Sequence, residues 1–385
     1  MKRHRQLSLL VGLIFLVALG GCSDPATLSP TAAATAVAVT PSATPVPAIP
    51  TAGVTATATA TASITPPPVA TATATVPPPP AVTPSPSLTP TPDPYAGLTI
   101  ADLRARSYGG GVLTAVQRLA VTESFTRTLI TYPSDGLTIY GFMNQPSGPG
   151  PFPVALVLHG YIPPENYGTI AYTTRYADYL ARNGYLVIHP NYRNHPPSDQ
   201  TEAFAGGRQT RDFRVGYALD VLNLMAIIQE QAGTPGPLAR ADGEAMHLLG
   251  HSMGGGITLR TLVVSPAVDA AVLYGSMSGD EYKNYERILV WSNGEVGEEE
   301  LATPPEDMER IAPIHHLDRI NAAVSIHHGE NDTEVPPEWS EDLCRRLQGL
   351  GKQVECFSYP GAPHTFHDET DRLFQQRVLE FFNRY

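Results

Sequence analysis

Met246-His247-Leu248-Leu249-Gly250-His251-Ser252-Met253-Gly254-Gly255-Gly256 is the stretch from which the fold is read. Met246 to Leu249 is an apolar run suited to a buried strand, and Met253 to about Val264 suits a helix. Between them stands a Gly-x-Ser-x-Gly turn. A serine at a sharp strand-to-helix turn is held in a strained backbone conformation that projects its Oγ outward, and the flanking glycines let the turn pass its neighbours. A helix that begins at Met253 also directs unpaired N–H groups toward any negative charge forming at Ser252. Ser252 is thus the candidate nucleophile, and the N–H of Met253 a candidate oxyanion donor.

Outward from this turn, strands and helices alternate. Val154 to Leu158 is a continuous apolar run, as expected of a strand buried on both faces of a parallel sheet. A helical stretch near residues 169–183, a strand at 185–189 and a long helix near 211–231 precede the serine turn. Strands at 270–274, 323–328 and 353–359 follow it, with helices near 338–350 and 369–384. Before residue 154, residues 125–132 and 137–144 read as two strands around the turn formers Pro133-Ser134-Asp135-Gly136. The pattern predicts an α/β fold: a mostly parallel, doubly wound sheet covered on both faces, with an antiparallel N-terminal hairpin at its edge. Residues 276–312 break the alternation and are rich in Glu. An insertion after a strand's carboxyl end lies over the crevice of such a sheet, so it is expected as a small cap or a solvated acidic loop.

A serine hydroxyl needs a base to take its proton and a carboxylate to orient that base. After the turn, Ile326-His327-His328-Gly329-Glu330-Asn331-Asp332 ends a strand, and Tyr359-Pro360-Gly361-Ala362-Pro363-His364 ends the next. Asp332 and His364 therefore fall in loops on the same rim as Ser252, in the order Ser, acid, His. Glu330 and His367 are the rival acid and base, each offset by two or three residues. The second oxyanion donor is expected from His159-Gly160-Tyr161, after the early buried strand: the backbone N–H of Tyr161 first, or the phenol of Tyr161 or Tyr167. His327 and His328 are adjacent on a strand and point to opposite faces, and His315-His316 has no ligand partner at suitable spacing. No metal and no cofactor is expected.

Residues from about 121 to 385 resemble the catalytic domain of the prolyl oligopeptidase family of serine peptidases, and are also similar to dienelactone-hydrolase-like esterases. Ser134-Asp135-Gly136-Leu137, Leu158-His159-Gly160 and Pro190-Asn191-Tyr192-Arg193 carry the resemblance, with Asp220, the Ser252 turn, and His328 to Asp332 followed by Val335-Pro336. It implies an α/β-hydrolase fold and a triad of Ser252, Asp332 and His364, the same three residues that chain order selects. It also implies peptide cleavage through an acyl-enzyme. The best-known members carry an N-terminal β-propeller where this chain has a low-complexity tract, and Met253-Gly254-Gly255-Gly256 is the generic hydrolase form of the turn. A carboxylesterase is therefore the second expectation, and the substrate a peptide or an ester. A non-catalytic envelope binding protein is the third, against which the complete set of three groups argues.

The other end of the chain speaks to location. Lys2, Arg3 and Arg5 precede the apolar run Leu7 to Leu19, which is shorter than the roughly 20 residues a membrane-spanning helix needs. With Leu19-Gly20-Gly21-Cys22 it reads as a cleaved signal peptide over residues 1–21 and a bacterial lipobox, with Cys22 taking the lipid. Residues 22–94 are nearly all Thr, Ala, Pro, Val and Ser, a composition that buries no core and suits a disordered tether. Such a tract reaches on the order of 200 Å when extended. Residues 95–385 form the catalytic domain. An extracytoplasmic lipoprotein, anchored in the membrane of a cell envelope, is the expectation. The net charge of −12 argues against a nucleic-acid partner. Cys344 and Cys356 remain, as a disulfide or as two free thiols.

Overall fold

The strand Phe152–Leu158 (β4) shows how the domain is built: Val154, Leu156 and Leu158 join one hydrophobic cluster, and Ala155 and Val157 join another. Side chains of a strand alternate in direction, so a strand apolar at every position must be covered on both sides. The strand Ala270–Tyr274 (β7) does the same, sending Ala271 and Leu273 to the first cluster and Ala270, Val272 and Tyr274 to the second. The computed structural model describes Asp93 and residues 95–202 and 215–385. The expected signal peptide, Cys22, the tether apart from Asp93, and the first four residues of the helix expected from Arg211 lie outside the described residues. The chain divides into two units, Met1–Ser85 and Pro86–Tyr385, and the sheet and the site both belong to the second.

The sheet has nine strands. Thr114–Val121 (β1), Phe125–Ser134 (β2) and Leu137–Pro146 (β3) come first; Leu186–Pro190 (β5), Ala241–His251 (β6), Ala323–Gly329 (β8) and Val354–Tyr359 (β9) complete it with β4 and β7. Their spatial order is β1-β2-β3-β5-β4-β6-β7-β8-β9. The pairs β1–β2, β2–β3 and β3–β5 are antiparallel, and every pair from β5 to β9 is parallel. This is the expected mostly parallel sheet with an antiparallel N-terminal edge. Asp135 and Gly136 both have positive φ between the paired Ser134 and Leu137, the two-residue turn that an Asp-Gly sequence favours.

Helices Tyr217–Gln231 (α3), Met253–Val264 (α4) and Pro337–Gly349 (α8) cover the first face; Thr174–Arg182 (α2) and Asp368–Phe382 (α9) cover the second. A short helix Ile100–Ala105 (α1) starts from a reciprocal cap in which Thr99 and Asp102 satisfy each other's backbone N–H. The region 276–312 is helical: Glu281–Trp291 (α5), Glu298–Leu301 (α6) and Pro305–Ile311 (α7). Cys344 of α8 and Cys356 of β9 form a disulfide, which resolves the open choice for these two residues.

Not every element matches expectation, and α1 is one that the sequence reading does not include. No signal in the sequence marks the strand β1, because seven of its eight residues are exposed and it shows no inside–outside alternation. The helix expected near 169–183 begins only at Thr174, which leaves residues 169–172 in the loop beside the serine turn.

Candidate active site

Ser252 sits at φ 57° and ψ −118°, between β6 and α4. Few residues other than glycine tolerate this region, and the cost of order 1–3 kcal/mol must be met by surrounding contacts. Those contacts are present: Ser252 N–H donates to Tyr274 O at 2.9 Å, and Ser252 O accepts from Gly255 and Met277 N–H at 3.0 and 3.1 Å. Gly254 is required by crowding, since a Cβ there would stand 2.2 Å from the carbonyl oxygen of Leu158. Met253, the first residue of α4, has no carbonyl one turn back for its N–H.

Asp332 lies in the loop after β8 and His364 in the loop after β9, as expected. His364 Nδ1 is 2.6 Å from Asp332 Oδ2. The carboxylate is otherwise saturated: Oδ1 accepts from the N–H groups of Glu334 and Val335, both at 2.8 Å, and His328 Nε2 approaches Oδ2 at 3.0 Å. Burial pushes the Asp332 carboxyl up, but the hydrogen bonds from His328, His364 and Val335 outweigh it and hold the group well below the usual carboxylate range. Gly275, directly after β7, packs against both His364 and Asp332, while its neighbour Tyr274 accepts from Ser252 N–H. One short segment thus brings the serine turn alongside the Asp332–His364 pair.

The rivals are elsewhere. Glu330 accepts from Ser358 Oγ on the surface, and His367 is exposed at the start of α9. The loop after β4 does reach Ser252: a Cβ on Gly160 would stand 3.0 Å from Ser252 Cβ. Tyr161 follows it with 55% of its surface exposed. Tyr167 is turned away, its hydroxyl donating to Asn191 Oδ1 at 3.1 Å and its ring packed on His159, so its phenol is no candidate for the oxyanion.

Sequence reasoning assigns no role to three side chains that border this site. His328 supports Asp332 and is itself held by Ser340 Oγ at 2.6 Å. His251 is buried, with its ring centroid 4.6 Å from that of His364. Tyr172 Oη lies 2.5 Å from His251 Nδ1. Position in the turn is the one signal for His251; Tyr172 gives none, because its partner is 79 residues away. His327 and His328 do point apart, His327 toward Phe357 and Phe374 and His328 toward Ser340. Among the described residues no cluster of His, Cys, Asp or Glu is arranged to hold a metal ion.

Fold and site together define an α/β-hydrolase of the serine-hydrolase type. The sequence profile of the prolyl oligopeptidase family matches residues 171–385, more than half of the chain, and the chain belongs to that family. The uncharacterised peptidase YtmA of Bacillus subtilis is 26% identical over 261 residues, covering 66% of this chain and 91% of that one. A Synechocystis protein that carries the name carboxymethylenebutenolidase is 25% identical over 251 residues, covering 64% and 88%. Among solved structures, Pyrococcus horikoshii acylaminoacyl peptidase superposes with a TM-score of 0.56 at 20% identity. That match covers 68% of this chain but only 42% of the archaeal enzyme, and it speaks to the fold.

Proposed function

We propose that this protein is a serine peptidase that cleaves peptide bonds through an acyl-enzyme at Ser252, with His364 as general base and Asp332 as its orienting carboxylate. The carrying observation is the 2.6 Å contact between His364 Nδ1 and a carboxylate whose other lone pairs are occupied, beside a serine in a strained turn. With its Nδ1–H donating a hydrogen bond to Asp332, His364 leaves Nε2 bare to take the proton of Ser252 Oγ as that oxygen attacks the substrate carbonyl. The oxyanion so formed is assigned to the backbone N–H groups of Met253 and Tyr161. Collapse breaks the C–N bond, and His364 returns its proton to the leaving amine. Water, deprotonated by the same imidazole, then releases the acyl group and restores Ser252. Because Asp332 stays ionised throughout, it favours the imidazolium of each transition state.

Peptide cleavage is supported by the family and by the name of the Bacillus relative. A second reading, hydrolysis of carboxylic esters, is favoured by the name of the Synechocystis relative. Labelling with a fluorophosphonate, followed by parallel assays on peptide amides and aryl esters, separates these readings. Ser252→Ala abolishes both labelling and turnover while leaving the unfolding transition in place; undiminished labelling of the variant contradicts the assignment.

The same proposal places the enzyme outside the cytoplasm as a lipoprotein held through Cys22, on the strength of the basic, apolar and small-residue segments of residues 1–22. Metabolic labelling with a palmitate analogue tags the wild type and not Cys22→Ser. Release of an untagged wild type into the medium contradicts it.

A further inference from the structure

His251 stands between two loops that carry the chemistry proposed above, and the direction of every hydrogen bond around it is forced. Its Nε2 lies 3.0 Å from the carbonyl oxygen of His364. A carbonyl can only accept, so Nε2 carries the proton. Burial, aided by the neighbouring His364, pushes His251 down to about 3, so the ring is neutral and Nδ1 offers a lone pair. Tyr172 must therefore give its single hydroxyl proton to Nδ1 across 2.5 Å. With that proton spent, the Tyr172 oxygen is the acceptor for Gly160 N–H at 3.0 Å. Gly160 belongs to the loop assigned to the oxyanion, and His364 to the loop of the base.

We infer that Tyr172 and His251 are positioning residues, forming a hydrogen-bonded strut that runs from the Gly160 N–H through the residue before Ser252 to the backbone carbonyl of His364. The strut rests on the assignment of Ser252 and His364 as nucleophile and base. Its consequence is a shared register for three segments distant in sequence. The Gly160 N–H is withdrawn from the oxyanion, which leaves the next N–H, that of Tyr161, as the donor of this loop. The peptide that carries His364 is fixed on one side by His251, and two residues on by Tyr274 Oη, which accepts from Phe366 N–H, and by Arg175, which donates to Phe366 O at 2.9 Å. The ring of His251 packs at 4.6 Å against the ring of His364, so the base is located by its backbone and by its face. Displacement of reacting groups by about 1 Å costs on the order of 10²-fold in rate, and a hydroxyl that sets two loops at once controls displacements of that size.

The experiment uses Tyr172→Phe, which keeps the ring against His251 and deletes the strut hydroxyl. On an aryl ester the variant loses about 10- to 100-fold in kcat while KM stays within about twofold, and its rate constant for fluorophosphonate inactivation falls by the same factor. His251→Gln, which offers an N–H to the His364 carbonyl and an oxygen to Tyr172, retains more of kcat than His251→Leu. The double variant Tyr172→Phe/His251→Leu is no slower than His251→Leu alone, because a strut broken once transmits nothing further. A Tyr172→Phe enzyme within about twofold of wild type in kcat overturns the inference, as does a loss confined to KM or a double variant whose losses multiply. A variant that no longer unfolds cooperatively also overturns it, since the residue is then structural. Ser252→Ala separates the two levels. If it still labels, the underlying assignment fails; if it is silent while Tyr172→Phe matches wild type, the strut alone fails.

Discussion

Acidification toward pH 5 should strongly destabilise this domain, because the fold keeps several buried histidines neutral. Burial pushes His189, His251 and His327 down to about 3 and His195 down to about 4. In the unfolded chain an imidazole titrates near roughly 6.5. Between these values the unfolded state binds more protons, so stability is complete above about pH 7 and is lost as the pH falls. At pH 5 each of the four groups withdraws about 2 kcal/mol, and together about 8 kcal/mol, against a total stability of about 5–15 kcal/mol for a typical domain. His159, buried in the same aromatic cluster and pushed down further, acts with the same sign. Asp332, held low, adds its own loss only below the ordinary carboxylate range. Asp220 opposes them: burial raises its carboxyl even though Arg193 pulls it down, so acid relieves it. The measurement is urea unfolding followed by tryptophan fluorescence at pH 8, 6 and 5. Near pH 5 the unfolding free energy should change with a slope of about four protons, and His189→Gln should remove one of them, about 1.4 kcal/mol per pH unit. An unfolding free energy at pH 5 within about 1 kcal/mol of its value at pH 8 refutes the reasoning.

Three further outcomes are expected. Asp332→Asn leaves the protein folded and slows acylation by up to about 10⁴, by analogy with the chymotrypsin-type aspartate, whereas Glu330→Gln, on the surface beside Ser358, stays near wild type in the same stopped-flow assay. Reduction of the Cys344–Cys356 disulfide, which closes a loop of 12-residue separation, costs about 3 kcal/mol in a urea titration run with and without reductant. Gly254→Ala forces a methyl group against the Leu158 carbonyl, and at a cost of about 3 kcal/mol or more it lowers both the yield of folded protein and its thermal midpoint.

How much of this was legible follows from where each signal is stored. The strands β4 to β8 declare themselves locally, because a strand covered on both faces must be apolar at nearly every position, as Val154 to Leu158 and Ala270 to Tyr274 are. The serine turn is local too, a strand, two glycines and a helix within a dozen residues. The strand β1 was invisible because Val116, Leu119 and Val121 are exposed at the edge of the sheet and no periodicity marks them. The disulfide could not be read from a spacing of twelve; it depends on α8 returning beside β9 with the two Cα atoms 6.4 Å apart. The strut of Tyr172 and His251 lies further from sequence reasoning still. Its members are 79 residues apart, and Tyr172 became available only because its helix starts at Thr174 and not near 169.

The helical insertion is better understood as a fixed element than as a loop. Arg260, in the helix that begins at the nucleophile, is almost wholly buried and pairs with the equally buried Glu281 at the start of α5; it also donates to Ile311 O at the end of α7, at 2.5 Å. A buried ion pair adds little net stability, but losing one partner costs about 3–5 kcal/mol, so the contact specifies geometry. From the far side of α5, Arg287 donates to the carbonyls of Thr333 and Glu334, the two residues after Asp332. At its base, Tyr95 is buried with Tyr285, Met308 and Ile311, and Asp93 pairs with Arg310 at 2.7 Å. The insertion is thereby fastened to the nucleophile helix, to the acid loop and to the first residues of the domain. A segment held at three such points moves with the catalytic frame, so its position beside the acid loop is set when the domain folds.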